Sequence, residues 1–397
     1  MKIVSVSAFP LRVPPAETYW GARTWGEGTG ADLDAYPPVA RRRYAYSRTI
    51  DTVLVRVETD DGVVGWGECK APVAPSVAAA CVNELLRPIV LGSSLDAIAV
   101  TWERMYAAMR VRGHDSGFWL EAIAGVDIAL WDAWGRTLGQ PVYALLGGAF
   151  REAAPVYASG VPAAGTREGA EGLRRVEAEA RRLRDAGWTA IKVAVGVDPE
   201  GDAASVAVVR DVLGPGGRVF ADAAGAYDVR QALHLGERLQ ELGVGFFEMP
   251  VPPEQVDDYA YLAARLSIPL ALDSLATRHR ALSFLRAGAL HVLQPDVCRA
   301  GGISETMRIA ALADAFGAQA TPHVSIGSAV HFAASLHCAL AMPNFDIMEH
   351  WIGSNPLGRA LAADLDEPAA GVRSPTVGPG LGITIDEQAV ARLASGG

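Results

Sequence analysis

From residue 155 onward the chain keeps one rhythm, a short apolar run followed by a helical stretch, and this repetition constrains the fold more than any other feature. Strand-like runs fall at 156–159, 190–195, 218–221, 245–247, 269–272, 291–293, 318–321 and 346–348. Helical periodicity fills the spaces between them, as over 168–186, 229–242 and 304–316. Strands that alternate with helices pair in parallel, and eight of them predict an α/β chain closed as a (β/α)8-type barrel, with its site at the C-terminal strand ends. An open doubly wound sheet is the competing arrangement. It does not call for a polar group at nearly every strand end.

Such groups are present here. The strand ends carry, in order, Lys192, Asp222, Glu248, Asp273, Asp296, His323 and Glu349. A single acid in this place often caps the next helix. Seven ionisable groups on one rim would lose their hydration together, at a cost that a metal and a substrate would offset. Asp222, Glu248 and Asp273 each follow an apolar run and lie 26 and 25 residues apart, one strand-helix unit each. Three converging carboxylates repel one another without a cation between them, and an all-oxygen set suits Mg²⁺, which keeps water and substrate oxygens as further ligands.

The first part of the chain reads differently. Residues 3–10 alternate, and 52–59 and 63–69 flank Asp60-Asp61-Gly62, a hairpin signal. Between them a long irregular segment, about 14–43, carries Tyr19, Trp20, Arg23 and Trp25, and predicts a lid over a ligand. Helical periodicity follows at 77–91, 97–110 and 117–138, ended by Gln140-Pro141. After Trp351 the chain becomes loop-rich and closes with Gly380-Leu-Gly-Ile-Thr-Ile-Asp and a short helix, predicted to pack back on the first domain.

Composition sets outer bounds. With 50% hydrophobic and 20% charged residues over 397 positions, the chain can build large cores, and two domains are the natural division. A net charge of −10 argues against nucleic-acid or membrane-surface partners but not against an anionic substrate, because a bound dication inverts the local field. No apolar run approaches the roughly 20 residues of a membrane span, and the start reads as a strand rather than a signal peptide, so a cytoplasmic location is expected. Cys69, Cys81, Cys298 and Cys338 are far apart and read as buried free thiols.

Five stretches together carry a resemblance: Trp188-Thr-Ala-Ile-Lys-Val-Ala-Val-Gly, Phe220-Ala-Asp-Ala-Ala-Gly-Ala-Tyr, Phe247-Glu-Met-Pro, Gln294-Pro-Asp-Val-Cys-Arg-Ala-Gly-Gly-Ile and Pro322-His-Val. The chain resembles the mandelate racemase and muconate lactonizing enzyme branch of the enolase superfamily, over essentially its whole length. The resemblance implies a modified (β/α)7β TIM-type barrel at 141–352. It also implies an α+β capping domain formed by 1–140 and the closing segment 353–397. It further implies Mg²⁺ held by Asp222, Glu248 and Asp273, a substrate carboxylate on the ion, and proton removal from the adjacent carbon to give an enediolate. His323 with Asp296 matches the mandelate racemase subgroup, in which the aspartate orients a histidine base. Lys192 and Glu349 would contact the substrate carboxylate, and Trp20, Arg23 and His350 are the expected further substrate contacts. His331 and His337 read as core histidines. Members of the family tend to assemble, so a homo-oligomer acting on a small carboxylate is expected.

The departures narrow the chemistry. The second strand reads Lys192-Val193-Ala194 where the family usually has Lys-x-Lys, and Ala194 cannot take a proton. Two-base racemisation is disfavoured and one-base chemistry remains. Ala224 stands where asparagine is common, and Met249 where a second glutamate is common. Leu272-Asp273-Ser274 leaves Ser274 as the alternative third ligand if the register slips by one. The leading expectation is a Mg²⁺-dependent acid-sugar dehydratase. A cycloisomerase of a sugar lactone or anhydro-sugar acid uses the same residues, and a binding or vestigial paralogue is the third reading.

Overall fold

The computed structural model describes residues 1–14, 49–353, 355–362 and 371–395. The lid expected at about 14–43, with Trp20 and Arg23, therefore lies outside the described residues apart from residue 14.

Strands β1 (Ile3–Val13), β2 (Ile50–Thr59) and β3 (Val64–Cys69) form an antiparallel sheet in that order. Gly62, at φ 84°, makes the turn between β2 and β3, a conformation in which glycine has no Cβ penalty. The helix Phe118–Leu138 lies across this sheet. A Cβ at Gly67 would sit 1.8 Å from the Gly125 carbonyl oxygen, so this close approach requires glycine. The helix stops at Gly139 in the left-handed conformation. The helical stretch expected at 77–91 forms, with a π-helical turn at Cys81–Leu86 between α-helical Pro75–Ala80 and Arg87–Val90. These elements enclose a core that contains Val55, Leu86, Trp102 and Ile123.

The repeating half supplies β4 (Ala154–Pro162), β5 (Ala190–Ala194), β6 (Arg218–Asp222), β7 (Phe247–Glu248), β8 (Leu270–Leu272), β9 (Val292–Leu293), β10 (Gln319–Ala320) and β11 (Met348–Trp351). All pair in parallel in the order β10-β9-β8-β7-β6-β5-β4-β11, and one α-helix lies between each consecutive pair. The two ends of this order approach where Ala320 N donates to Asn344 O (3.2 Å) and Thr321 Oγ1 donates to Ile347 O (2.8 Å), just ahead of β11. The (β/α)7β order is thus the one expected, and the doubly wound alternative falls away.

Strand parity fixes which side chains share the barrel interior. Tyr157, Ala190, Phe220, Phe246, Ala271, Val292 and Ile347 form one buried cluster, with the Phe220 and Phe246 rings 4.3 Å apart. Two residues further along the same strands stand Ser159, Lys192, Asp222, Glu248, Asp273, Gln294 and Glu349. The apolar layer is the floor on which these polar groups rest.

The closing segment returns to the cap. Gly380 N donates to Gln140 O and Leu381 N donates to Asp132 Oδ1 (2.9 and 2.8 Å). The helix Glu387–Ser395 packs on β1. No helix among the described residues is long and apolar enough to cross a membrane.

Candidate active site

The polar layer is built around Lys192. Its Nζ lies 2.8 Å from Glu248 Oε2, 2.9 Å from Glu349 Oε1 and 3.4 Å from Asp222 Oδ2. Burial disfavours the ammonium, but Glu248 and Glu349 prevail and hold its pKa well above the usual lysine range. Glu248 has the opposite balance. Burial, then the Asp222 charge, pushes its carboxyl up to about 8 in spite of Lys192. Gln294 Nε2 donates to the same Glu248 oxygen at 3.0 Å.

Glu349 accepts from Ser159 Oγ (2.5 Å), from Lys192 and from the Val324 N–H (3.0 Å). Burial opposes its charge, but Lys192 and then His323 outweigh it and bring its pKa down to about 2. In this arrangement Glu349 is an ionised acceptor, and the Lys192 ammonium is the donor that three carboxylates face.

His323 stands on the adjoining side. Its Nδ1 is 2.9 Å from Asp296 Oδ2, and its Nε2 is 3.4 Å from Glu349 Oε2 and 3.6 Å from Asp273 Oδ2. Burial would lower its pKa; Glu349, Asp296 and Asp273 overcome that and raise it to about 9. Asp296 is held well below the usual carboxylate range despite its burial, by His331, then Lys70, then the hydrogen bond from His323. An imidazole with one nitrogen fixed by a carboxylate and the other facing the site is arranged to take and hold a proton.

The acids also fit a cation. Asp222, Glu248 and Asp273 offer carboxylates only, which suits a hard dication. Ligand atoms of Glu248 and Asp273, with one from His323, lie within 4.8 Å of one another, a group that does not include Asp222, and burial and then the Asp222 charge raise the pKa of Glu248, an effect that a nearby cation would oppose. Parity bears on the third acid. Ala271 belongs to the inward layer, so Asp273 also faces inward, and the Ser274 hydroxyl donates to Asp273 Oδ1 at 3.0 Å.

Other expected site residues separate. Ala194 lies on the inward face of β5, two residues beyond Lys192. His350, next to inward Glu349, faces outward; it stacks on Trp188 (5.5 Å) and meets Phe332 edge-on. The expected substrate contact at His350 is therefore not brought to the acids, because one step along a strand reverses the side chain. The sequence reading also passed over Ser159 and Gln294, which strand parity alone would have found. Lys70 and His331 also approach Asp296, at 3.9 and 3.1 Å, and His331 is buried as expected.

Two family profiles cover most of the chain: "Enolase C-terminal domain-like" over residues 175–389, and "Mandelate racemase / muconate lactonizing enzyme, N-terminal domain" over 38–147. The chain belongs to the mandelate racemase and muconate lactonizing enzyme family. It is 37% identical over 350 residues to the D-galactarolactone cycloisomerase of Agrobacterium fabrum, a match covering 86% of this chain and 90% of the relative. It is 32% identical over 338 residues to the arabinonate dehydratase of Saccharolobus solfataricus, covering 85% and 88%. Among solved structures, an enolase superfamily member from Agrobacterium tumefaciens superposes with a TM-score of 0.87 at 30% identity, over 98% of both chains. The protein is thus an enolase-superfamily enzyme whose relatives in the mandelate racemase and muconate lactonizing enzyme family include a sugar-acid dehydratase and a lactone cycloisomerase.

Proposed function

We propose that the protein is a Mg²⁺-dependent acid-sugar dehydratase, which removes the proton next to a substrate carboxylate and expels the β-hydroxyl. The observation that carries this reading is the single imidazole, His323, fixed by Asp296 at 2.9 Å, with Ala194 where the resemblance would place a second base. Asp222, Glu248 and Asp273 would hold the ion. When bound, Mg²⁺ would supply positive charge against which the substrate carboxylate can accumulate negative charge.

In this reading Lys192 donates to the substrate carboxylate and sets its plane against the polar layer. His323 Nε2 takes the α-proton. Asp296 holds Nδ1–H and stabilises the imidazolium that forms, and the imidazolium then donates a proton to the departing hydroxyl. Asp273 and Glu349 both raise His323, so its readiness as a base depends on how far their charge is compensated. The enzyme is read as cytoplasmic and homo-oligomeric, with a small carboxylate as its partner and neither nucleic acid nor membrane.

A second reading is favoured by the 37% identical relative named for D-galactarolactone cycloisomerase. Here the same proton abstraction expels an internal oxygen, and a carboxylate leaving group departs without protonation. A library of hexonates, pentonates, aldarates and their lactones, incubated with the Mg²⁺-loaded enzyme, separates these outcomes by mass spectrometry. Dehydration removes one water from the substrate mass, and cycloisomerisation leaves the mass unchanged. Ligand binding with neither product would overturn both readings in favour of a non-catalytic paralogue.

A further inference from the structure

The Asp296 carboxylate is engaged through both oxygens. Oδ1 accepts from Cys298 N–H at 2.9 Å and lies 3.1 Å from His331 Nε2, a close approach whose direction falls short of a hydrogen bond. Oδ2 faces His323 Nδ1 at 2.9 Å and Lys70 Nζ at 3.9 Å. Neither His331 nor Lys70 belongs to the strand-end series. His331 lies in the first turn of the helix Ala329–Ala341 and is fully buried. Lys70 directly follows β3 of the cap, is 5% exposed and reaches the barrel rim.

Both are tied to the rest of the site. Lys70 Nζ donates to Ser325 Oγ at 2.5 Å, two residues past His323, and Lys70 N–H donates to Cys298 O at 3.3 Å. Glu68, two residues before Lys70, accepts from Ser328 N–H and His331 N–H, each at 2.9 Å. One strand of the cap thus holds Lys70 directly and His331 through the helix start. A lysine buried at a domain boundary is costly without an anionic partner, and Asp296 is the carboxylate its ammonium approaches. A carboxylate with a neighbour on each oxygen has no free rotation about its terminal bond, which keeps Oδ2 aimed at His323.

We propose that Lys70 and His331 are positioning residues that fix the Asp296 carboxylate behind His323, with Lys70 acting across the boundary between cap and barrel. The inference rests on the reading of His323 as the base. It assigns the cap a part in aligning that base, in addition to its place over the barrel.

The test compares Lys70→Met, Lys70→Arg and His331→Gln in the Mg²⁺-loaded full-length protein. On the substrate found by the screen, Lys70→Met should lower kcat by about 10- to 100-fold with KM changed by no more than about twofold, as is usual for groups that orient a reacting residue. Lys70→Arg should recover most of the loss. A structural role alone would lower melting temperature and activity for Met and Arg alike. An independent readout uses ¹⁵N-labelled histidine: the His323 Nδ1–H resonance should shift or broaden in Lys70→Met and in His331→Gln. An unchanged resonance would overturn the proposal whether or not a substrate is known, whereas a wild-type enzyme inactive on the whole library would count against the functional reading alone.

Discussion

Lys192 shows how charge is balanced at single positions. Two buried carboxylates, Glu248 and Glu349, and the partly buried Asp222 share its ammonium, so removing it leaves them facing one another. Lys192→Met should destabilise the metal-free protein by about 3–5 kcal/mol, the range for breaking a buried ion pair. Added Mg²⁺ should then raise the melting temperature of the variant more than that of the wild type; an equal shift in both would mean that lysine and cation do not offset the same charge. The acids of this layer were legible because each closes an apolar run, and strand parity turns the end of a run into a direction. His350, one step from inward Glu349, points the other way by the same rule. The burial of His331 was legible, but its approach to Asp296, and that of Lys70, was not. A histidine on an apolar helix looks like core, and nothing local in Cys69-Lys70-Ala71 signals a contact with Asp296, more than 200 positions later.

Among the elements, the helix Ala329–Ala341 depends on another domain for its start. Ser328 caps it, and Glu68 of β3 accepts from Ser328 N–H, Ser328 Oγ and His331 N–H while also holding Thr52 Oγ1. Glu68→Ala leaves these buried donors without their acceptor and should cost at least about 2 kcal/mol in urea unfolding. Hydrogen exchange should quicken first at the amides of this helix start, and uniform exchange across the protein would contradict the assignment. The order of strands and helices was legible from the alternation of periods, but strand extents were not. The run read at 245–247 carries its regular ladder at Phe247–Glu248, while ahead of it Gly245 N–H donates to Val219 O at 2.8 Å and Phe246 O accepts from Ala221 N–H at 3.2 Å. The π-helical turn at Cys81–Leu86 likewise has no counterpart in the apolar spacing.

At the scale of the whole molecule, His337 joins three parts of the chain. Its ring stacks on Tyr143, its Nδ1 accepts from Tyr143 N–H at 3.2 Å, and it lies beside Leu381. Burial brings its pKa down to about 4 from 6.5, with Leu381 only partly opposing. The folded-state value lies below the unfolded one, so the unfolded chain takes up the proton first. The stability that His337 contributes is complete above about pH 6.5 and is lost as pH falls through about 4, by up to about 3 kcal/mol. His337→Gln should flatten that part of the acid-unfolding curve, and an unchanged slope would place the acid sensitivity elsewhere. The overall architecture, a (β/α)7β barrel under a cap completed by the closing segment, was legible because repetition runs from 156 to 348 and the hairpin signal at Asp60-Asp61-Gly62 sets the first part of the chain apart. The central claim remains that one histidine removes the substrate's α-proton. Its most direct measurement is deuterium incorporation and product formation in D₂O by the Mg²⁺-loaded enzyme and its His323→Asn variant, on a substrate that the wild type turns over. Exchange and elimination should fall together in the variant, by at least about 100-fold. Retention of either at near wild-type rate would show that another group is the base.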